Sequence, residues 1–150
     1  MSLVFNKKAQ HEYEISKKFI AGIVLSGPEV KSLRLQQASL NGSYIKEIGK
    51  ELFLINAQIN AYSFAKQDNY DPKQTRKLLL KKSEVEALTE ASKQKGFAII
   101  PIAFFISHNM IKLEIGLARG KKEYEKREAI KKRDLKRELA SENKRSRISV

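Results

Sequence analysis

The chain has 150 residues, of which 41% are apolar, with 30 Lys and Arg against 17 Asp and Glu for a formal net charge of +13. That length suits one domain with room for a tail, and the apolar share excludes a wholly disordered chain. With no cysteine there is no disulfide, thiolate metal site or thiol nucleophile, and the charge excess points to a polyanion: RNA, DNA or an anionic membrane surface.

The chain opens Met1-Ser2-Leu3-Val4-Phe5-Asn6-Lys7-Lys8, an apolar run too short for the core of a signal peptide. Between Glu12 and Leu25 the segments Tyr13–Ile15 and Gly22–Leu25 are β-branched and half-alternating, which predicts strand. Ser26-Gly27-Pro28-Glu29 places a capping hydroxyl three residues before a carboxylate, so a helix is expected over Pro28–Leu35 with Val30 and Leu33 inward. Asn41-Gly42 marks a turn, and Tyr44–Ile48 with Leu52–Ile55 reads as a hairpin around Gly49-Lys50-Glu51. Asn56 to Gln74 is polar and irregular, with Ile59 and Tyr62 as expected anchors.

Leu78-Leu79-Leu80 reads as a short apolar strand. Ser83 and Glu86 suggest a second capping box, opening a helix that turns Val85 and Leu88 inward and ends at Gly96. Phe97–Ile106 and Met110–Leu117 form the strongest strand pair, turning at Ser107-His108-Asn109. Pro101 has no amide to donate, so its strand is expected at an edge or bulged there. Lys112 and Glu114 alternate with Ile111, Leu113 and Ile115, which gives this last strand one solvent face. Phe97–Ile106 is also the longest apolar stretch, about half of the roughly 20 residues that span a bilayer, so no membrane segment is expected.

About six short strands, mostly in sequential hairpins with helices inserted, predict a mainly β fold, α+β in the loose sense: a closed antiparallel β-barrel with peripheral helices. Residues 119–150 carry 13 basic and 6 acidic side chains, more than half the charge excess in about a fifth of the chain. With few large apolar groups that segment cannot offset its ordering entropy. The expected division is therefore a barrel over residues 1–120 and a basic tail over 121–150, disordered until bound. Glu123/Arg127 and Glu128/Lys132, acid before base at i,i+4, predict a helix over Lys122–Ala140 once a partner holds it.

Catalytic patterns are sparse. His11 and His108 allow an RNase-like pair in principle, but nothing in the sequence brings a polar lead-in and a hairpin turn together. Gly116-Leu117-Ala118-Arg119-Gly120-Lys121 has one residue too few between its glycines for a phosphate-binding P-loop, and Lys122 stands where Ser or Thr should bind magnesium. No metal-ligand spacing occurs, and no cofactor is expected. The basic residues say more: Lys7 and Lys8, Arg76 and Lys77, Lys112, and the tail, with tyrosines interleaved, have the make-up of an RNA surface. No helix is shaped for a major groove, which favours structured or single-stranded RNA over duplex DNA.

Four blocks carry a family resemblance: Asn6-Lys7-Lys8-Ala9-Gln10-His11-Glu12-Tyr13, Gly27-Pro28-Glu29-Val30-Lys31-Ser32-Leu33-Arg34, Arg76-Lys77-Leu78-Leu79-Leu80, and Gly116 through Arg127. In this order and spacing the chain resembles the SsrA-binding proteins, the bacterial partners of transfer-messenger RNA (tmRNA). The resemblance implies an oligonucleotide-binding-like barrel and no catalysis: a cytoplasmic, monomeric adaptor that binds the transfer-RNA-like domain of tmRNA and delivers it to stalled ribosomes. There the complex would take the codon–anticodon position in the decoding site, with the tail in the empty messenger channel.

Carried over by position, Asn6, Leu79 and Lys112 fall where tmRNA is contacted. Lys7, Lys8, Arg76, Lys77, Arg119, Gly120, Lys121, Lys122 and Tyr124 complete the expected RNA surface. Glu125-Lys126-Arg127 falls where the family usually has Asp-Lys-Arg, needed for tagging, and Lys131, Lys132, Arg133, Lys136 and Arg137 would meet ribosomal RNA. Two positions depart from the pattern: Ile20 replaces a common glutamate, and Gln74 a common arginine. A general or ribosomal RNA-binding barrel fits the composition equally but not the motif blocks; a small enzyme using His11 and His108 is the third reading.

Overall fold

The computed structural model describes residues 2–65 and 69–121. In chain order the elements are β1 (Ser2–Phe5), α1 (Lys7–Glu12), β2 (Tyr13–Ile23), α2 (Gly27–Arg34), β3 (Ala38–Ser39), β4 (Tyr44–Ile48), β5 (Glu51–Ile55), β6 (Gln58–Ile59), β7 (Arg76–Leu79), α3 (Lys82–Ser92), β8 (Phe97–Ser107) and β9 (Met110–Gly120). Seven strands build one antiparallel sheet in the order β1-β8-β9-β2-β7-β5-β4, and β3 pairs with β6 apart from it. The mainly β expectation therefore holds. Among the described residues no helix is long and apolar enough to cross a membrane.

The local signals act as read. Ser26 and Glu29 form a complete capping box, the Ser26 hydroxyl accepting from the Glu29 amide while the Glu29 carboxylate accepts from the Ser26 amide. Both hairpins close in two residues with positive φ, Gly49-Lys50 (58° and 65°) and His108-Asn109 (51° and 62°), the handedness that matches strand twist. Glu51 is thus the first residue of β5 and not part of the turn. The second capping box is displaced: Glu84, not Glu86, accepts from the backbone of Lys81, so α3 starts one residue before Ser83. Ser2–Phe5 becomes a strand that its length did not reveal, and α1 follows at once.

The expected closed barrel is not formed; the sheet is open between β4 and β8. These two strands lie side by side, but no ladder joins them. The reason lies at β1 and Pro101. β1 takes the outer edge of β8 at Ala103–Phe105, and the pairing of β8 with β9 shifts register between Pro101 and Ala103. Both expected features are present at the proline: the ladder is bulged there, and β1 does not reach Pro101, so the outer side of β8 has no strand partner at that residue among the described residues. At the proline Asn6 takes over from the strand, its backbone amide donating to Ile102 O at 2.8 Å and its side-chain amide to Pro101 O at 2.9 Å. The chain then turns into α1 next to the gap that β4 would have to cross.

The core lies against one face of the sheet. Ala21, Leu54, Leu78, Phe104, Leu113 and Ile115 face inward, and α2 and α3 add Leu33 and Leu88. Burying each of the leucine, isoleucine and phenylalanine side chains among them is worth about 1.5–3 kcal/mol. The alternation read in β9 is observed: Ile111, Leu113 and Ile115 are buried, Lys112 and Glu114 partly exposed.

Candidate nucleic-acid interface

β2, at the middle of the sheet, organises the surface. Gly22 of β2 is in register with Lys112 of β9 on one side and with Leu79 of β7 on the other. Directly opposed residues of antiparallel strands share a face, so Lys112, Gly22 and Leu79 form one row across three strands. Leu79 is 53% exposed, and Ile20 on the same face of β2 and Val24 just after the strand are 56% and 53% exposed. Glycine at the centre allows a close approach: a Cβ at Gly22 would stand 3.2 Å from the Leu79 Cβ, a tight contact that Leu79 would have to relieve by a few tenths of an ångström. Isolated glycine inside a strand pattern is the signal that could have found Gly22 from sequence.

Charge borders this apolar strip. Lys77 lies on the exposed face of β7 with Leu79 and pairs with Glu51 at 3.1 Å, in solvent. Glu114, opposite Ile20, is 3.5 Å from Lys18. Lys112 has no ion pair among the described residues, so its charge is not neutralised locally. A lysine beside leucine and isoleucine can meet a phosphate while the apolar side chains cover a sugar or base.

Arg76, expected in this surface, is a correction. Strand alternation turns Arg76 and Leu78 inward and Lys77 and Leu79 outward, and Arg76 is 2% exposed. Its Nε donates to Glu29 Oε2 at 2.7 Å, and its two terminal nitrogens donate to Ala57 O, Gln74 O, Pro72 O and the Tyr70 hydroxyl. Five bonds leave nothing to offer RNA; Arg76 instead ties the 57–74 segment to α2. Burial alone would raise the Glu29 carboxyl, but the Ser26 amide and the Arg76 guanidinium outweigh it and hold Glu29 below the ordinary carboxylate value. Tyr70 donates to Glu29 or Ile59 O, and burial followed by the Glu29 charge pushes its hydroxyl upward. Tyr70, more than Tyr62, anchors this segment. Gln74, where an arginine was expected, donates to Glu29 at 3.2 Å.

Asn6 is likewise 3% exposed, and its side chain both accepts from the Ala9 amide and donates to Pro101 O. It caps α1 rather than presenting an amide to a ligand. Lys7 and Lys8 are exposed on α1. They lie near Arg119 and Gly120, because Tyr13 directly after α1 pairs with Gly120, and Glu14 forms an ion pair with Arg119. The expected basic residues thus fall into two groups at opposite ends of β2. At about 3.3 Å per residue, Tyr13 and Gly22 are separated by up to about 30 Å of strand.

The two histidines are as far apart, His11 beside the Tyr13–Gly120 pair and His108 in the turn at the other end of β9, which removes the geometry a paired acid–base site needs. Among the described residues no His, Asp or Glu side chains are grouped as a metal site would require. Lys122, Tyr124, Glu125, Lys126, Arg127, Lys131, Lys132, Arg133, Lys136 and Arg137, with the predicted tail helix, lie outside the described residues.

The chain is similar to known proteins over most of its length. A family model described as SmpB protein matches residues 3–145. The SsrA-binding protein of Geobacter metallireducens is 47% identical over 90% of this chain and 88% of its own length. That of Flavobacterium psychrophilum is 47% identical over 91% of both. A solved structure described as "tmRNA-SmpB: a journey to the center of the bacterial ribosome" contains a chain 39% identical to this one. It superposes with a TM-score of 0.69 over 82% of this chain and 87% of that one.

Proposed function

Since the chain belongs to the SmpB protein family, we propose that it is an RNA-binding adaptor which holds the transfer-RNA-like domain of tmRNA and carries it to stalled ribosomes. The observation that carries this reading is the row Lys112–Gly22–Leu79 on an open sheet face, an unpaired cation beside exposed apolar side chains, at two positions where the sequence resemblance leads one to expect RNA contacts. The row, extended by Ile20 and Lys77, receives the transfer-RNA-like fold. The second basic group, Lys7, Lys8 and Arg119, meets RNA at the far end of β2, and Lys121 and Lys122 add to the RNA contacts. Residues 1–120 bind RNA and residues 121–150 engage the ribosome, Glu125-Lys126-Arg127 at the decoding site and Lys131, Lys132, Arg133, Lys136 and Arg137 along the messenger channel. The adaptor performs no chemistry of its own.

Purifying the full chain from its own cells and sequencing the RNA bound to it tests this. The transfer-RNA-like portion of tmRNA should dominate. Recovery of ribosomal or messenger RNA without tmRNA would favour a general RNA-binding protein instead.

A further inference from the structure

The open seam of the sheet is a cleft of about 400 Å³, to which α1 contributes Lys8 and Glu12, β4 Tyr44 and Ile45, and β8 Ala98 and Ile100. Tyr13 stands at the start of β2 on the same rim. We propose that this cleft takes an unpaired base of the bound RNA, a site distinct from the Lys112–Gly22–Leu79 row and resting on the RNA-binding reading above.

Volume, chemistry and backbone lead to this. The cleft is at the small end of the range for organic ligands, large enough for a nucleoside and too small for a helix. Its floor is aliphatic, and Tyr44, 48% exposed, stands over it on an edge strand. Among the described residues only Tyr62 and Phe64 form a ring pair, so the rings of Tyr13 and Tyr44 are not stacked on another aromatic. The backbone supplies the polar part. β1 covers β8 only at Ala103–Phe105, and β4 is the last strand of the sheet, so the facing edges of β4 and of Ala98–Ile100 have no strand partner. Such edges can bond the rim of a base. Lys8, without an ion pair among the described residues, is placed for the adjoining phosphate, and Glu12 for an exocyclic amine.

A peptide strand suits the seam less well. Beyond Ile100 the strand reaches Pro101, which donates nothing, and Asn6 already occupies the Pro101 and Ile102 carbonyls, so an added strand would gain few bonds. One flat, amphipathic base needs no longer run.

The chain has no tryptophan, so Tyr44→Trp puts a single reporter at the rim. In the full-length variant hexaadenylate at low salt should quench the emission, and an abasic ribose-phosphate hexamer of the same charge should leave it unchanged. In parallel, Tyr44→Ala should weaken binding of a transcript of the transfer-RNA-like domain about five- to 100-fold, the range one stacked base supports, with Tyr44→Phe close to wild type. An equal response to the abasic hexamer, no response to either, or an unchanged affinity in Tyr44→Ala overturns the cleft. If the wild-type chain ignores the transcript while the tryptophan still reports hexaadenylate, the cleft stands and the tmRNA reading falls.

Discussion

Replacing Arg76 with alanine separates a structural residue from an RNA contact. The guanidinium is 2% exposed and makes five hydrogen bonds, one of them to the buried carboxylate of Glu29 at 2.7 Å. Alanine leaves Glu29 charged and enclosed, which in comparable pairs costs about 3–5 kcal/mol. Against a typical domain stability of about 5–15 kcal/mol that is a large share. Urea unfolding of the full chain at neutral pH, followed by circular dichroism, should show a loss of this size with an unchanged slope. Arg76→Lys keeps the charge, but its single ammonium cannot reach Glu29, Ala57 and Pro72 together, so it should recover less than half. Adding Glu29→Gln to Arg76→Ala removes the stranded charge and should make the double variant more stable than Arg76→Ala alone. Where the alanine variant is folded, it should bind RNA nearly as well as wild type. A stability loss under about 1 kcal/mol together with a tenfold loss of RNA affinity would refute the structural role.

Further outcomes follow from the same geometry. Lys112→Ala should weaken binding of the transfer-RNA-like transcript and reduce the log–log salt slope by about 1, as expected when one phosphate contact is lost; filter binding across a salt series measures it. Leu79→Asp should weaken binding while leaving the melting curve close to wild type, since the side chain is already more than half in solvent. Asn6→Ala should instead lower stability by about 1–2 kcal/mol through the lost helix cap, and more if Pro101 O finds no water, with RNA affinity of the folded protein little changed. Glu29, whose carboxyl is depressed in the fold, contributes stability that is fully present above its ordinary value of 4.5 and is lost as pH falls through the depressed value. Tyr70 contributes stability lost as pH rises past its ordinary value of 10.0, so an acid–base stability profile should be steeper at both ends in wild type than in Tyr70→Phe/Arg76→Ala.

Sequence reading succeeded where the determinant is local. Ser26 and Glu29 are three residues apart, and their reciprocal bonds need nothing but a helix start. The alternation of Lys112 and Glu114 with buried neighbours likewise needs only strand periodicity. It failed where one residue serves two scales. Arg76-Lys77 looks like a basic pair, and what divides it is which face of β7 meets the core. The alternation Arg76/Leu78 against Lys77/Leu79 was present, but three successive leucines hid the phase. Closure of the barrel failed for a related reason: hairpin signals tell which neighbours pair, while the gap between β4 and β8 depends on Pro101 and on where β1 ends. Leu79 and Lys112, 33 positions apart in sequence, meet only through Gly22, which no local pattern links to either.

That arrangement also has a consequence in time. Among the ladders of the main sheet only β4–β5 and β8–β9 join neighbours in the chain; β2 has no partner until β7 and β9 exist, and the Asn6 side chain waits for a carbonyl 95 positions later. At a synthesis rate of about 5–20 residues per second, Tyr13–Ile23 spends about 5–20 s as an unpaired, half-apolar strand before Met110–Gly120 has been made. Non-local pairing of this kind is slow and leaves open edges exposed to other chains. The Lys112–Gly22–Leu79 row cannot be assembled before β9 is made, and β9 is the last part of the sheet to be translated. Only a chain translated past Met110–Gly120 can grip RNA there, and the cell is spared shorter fragments competing for it.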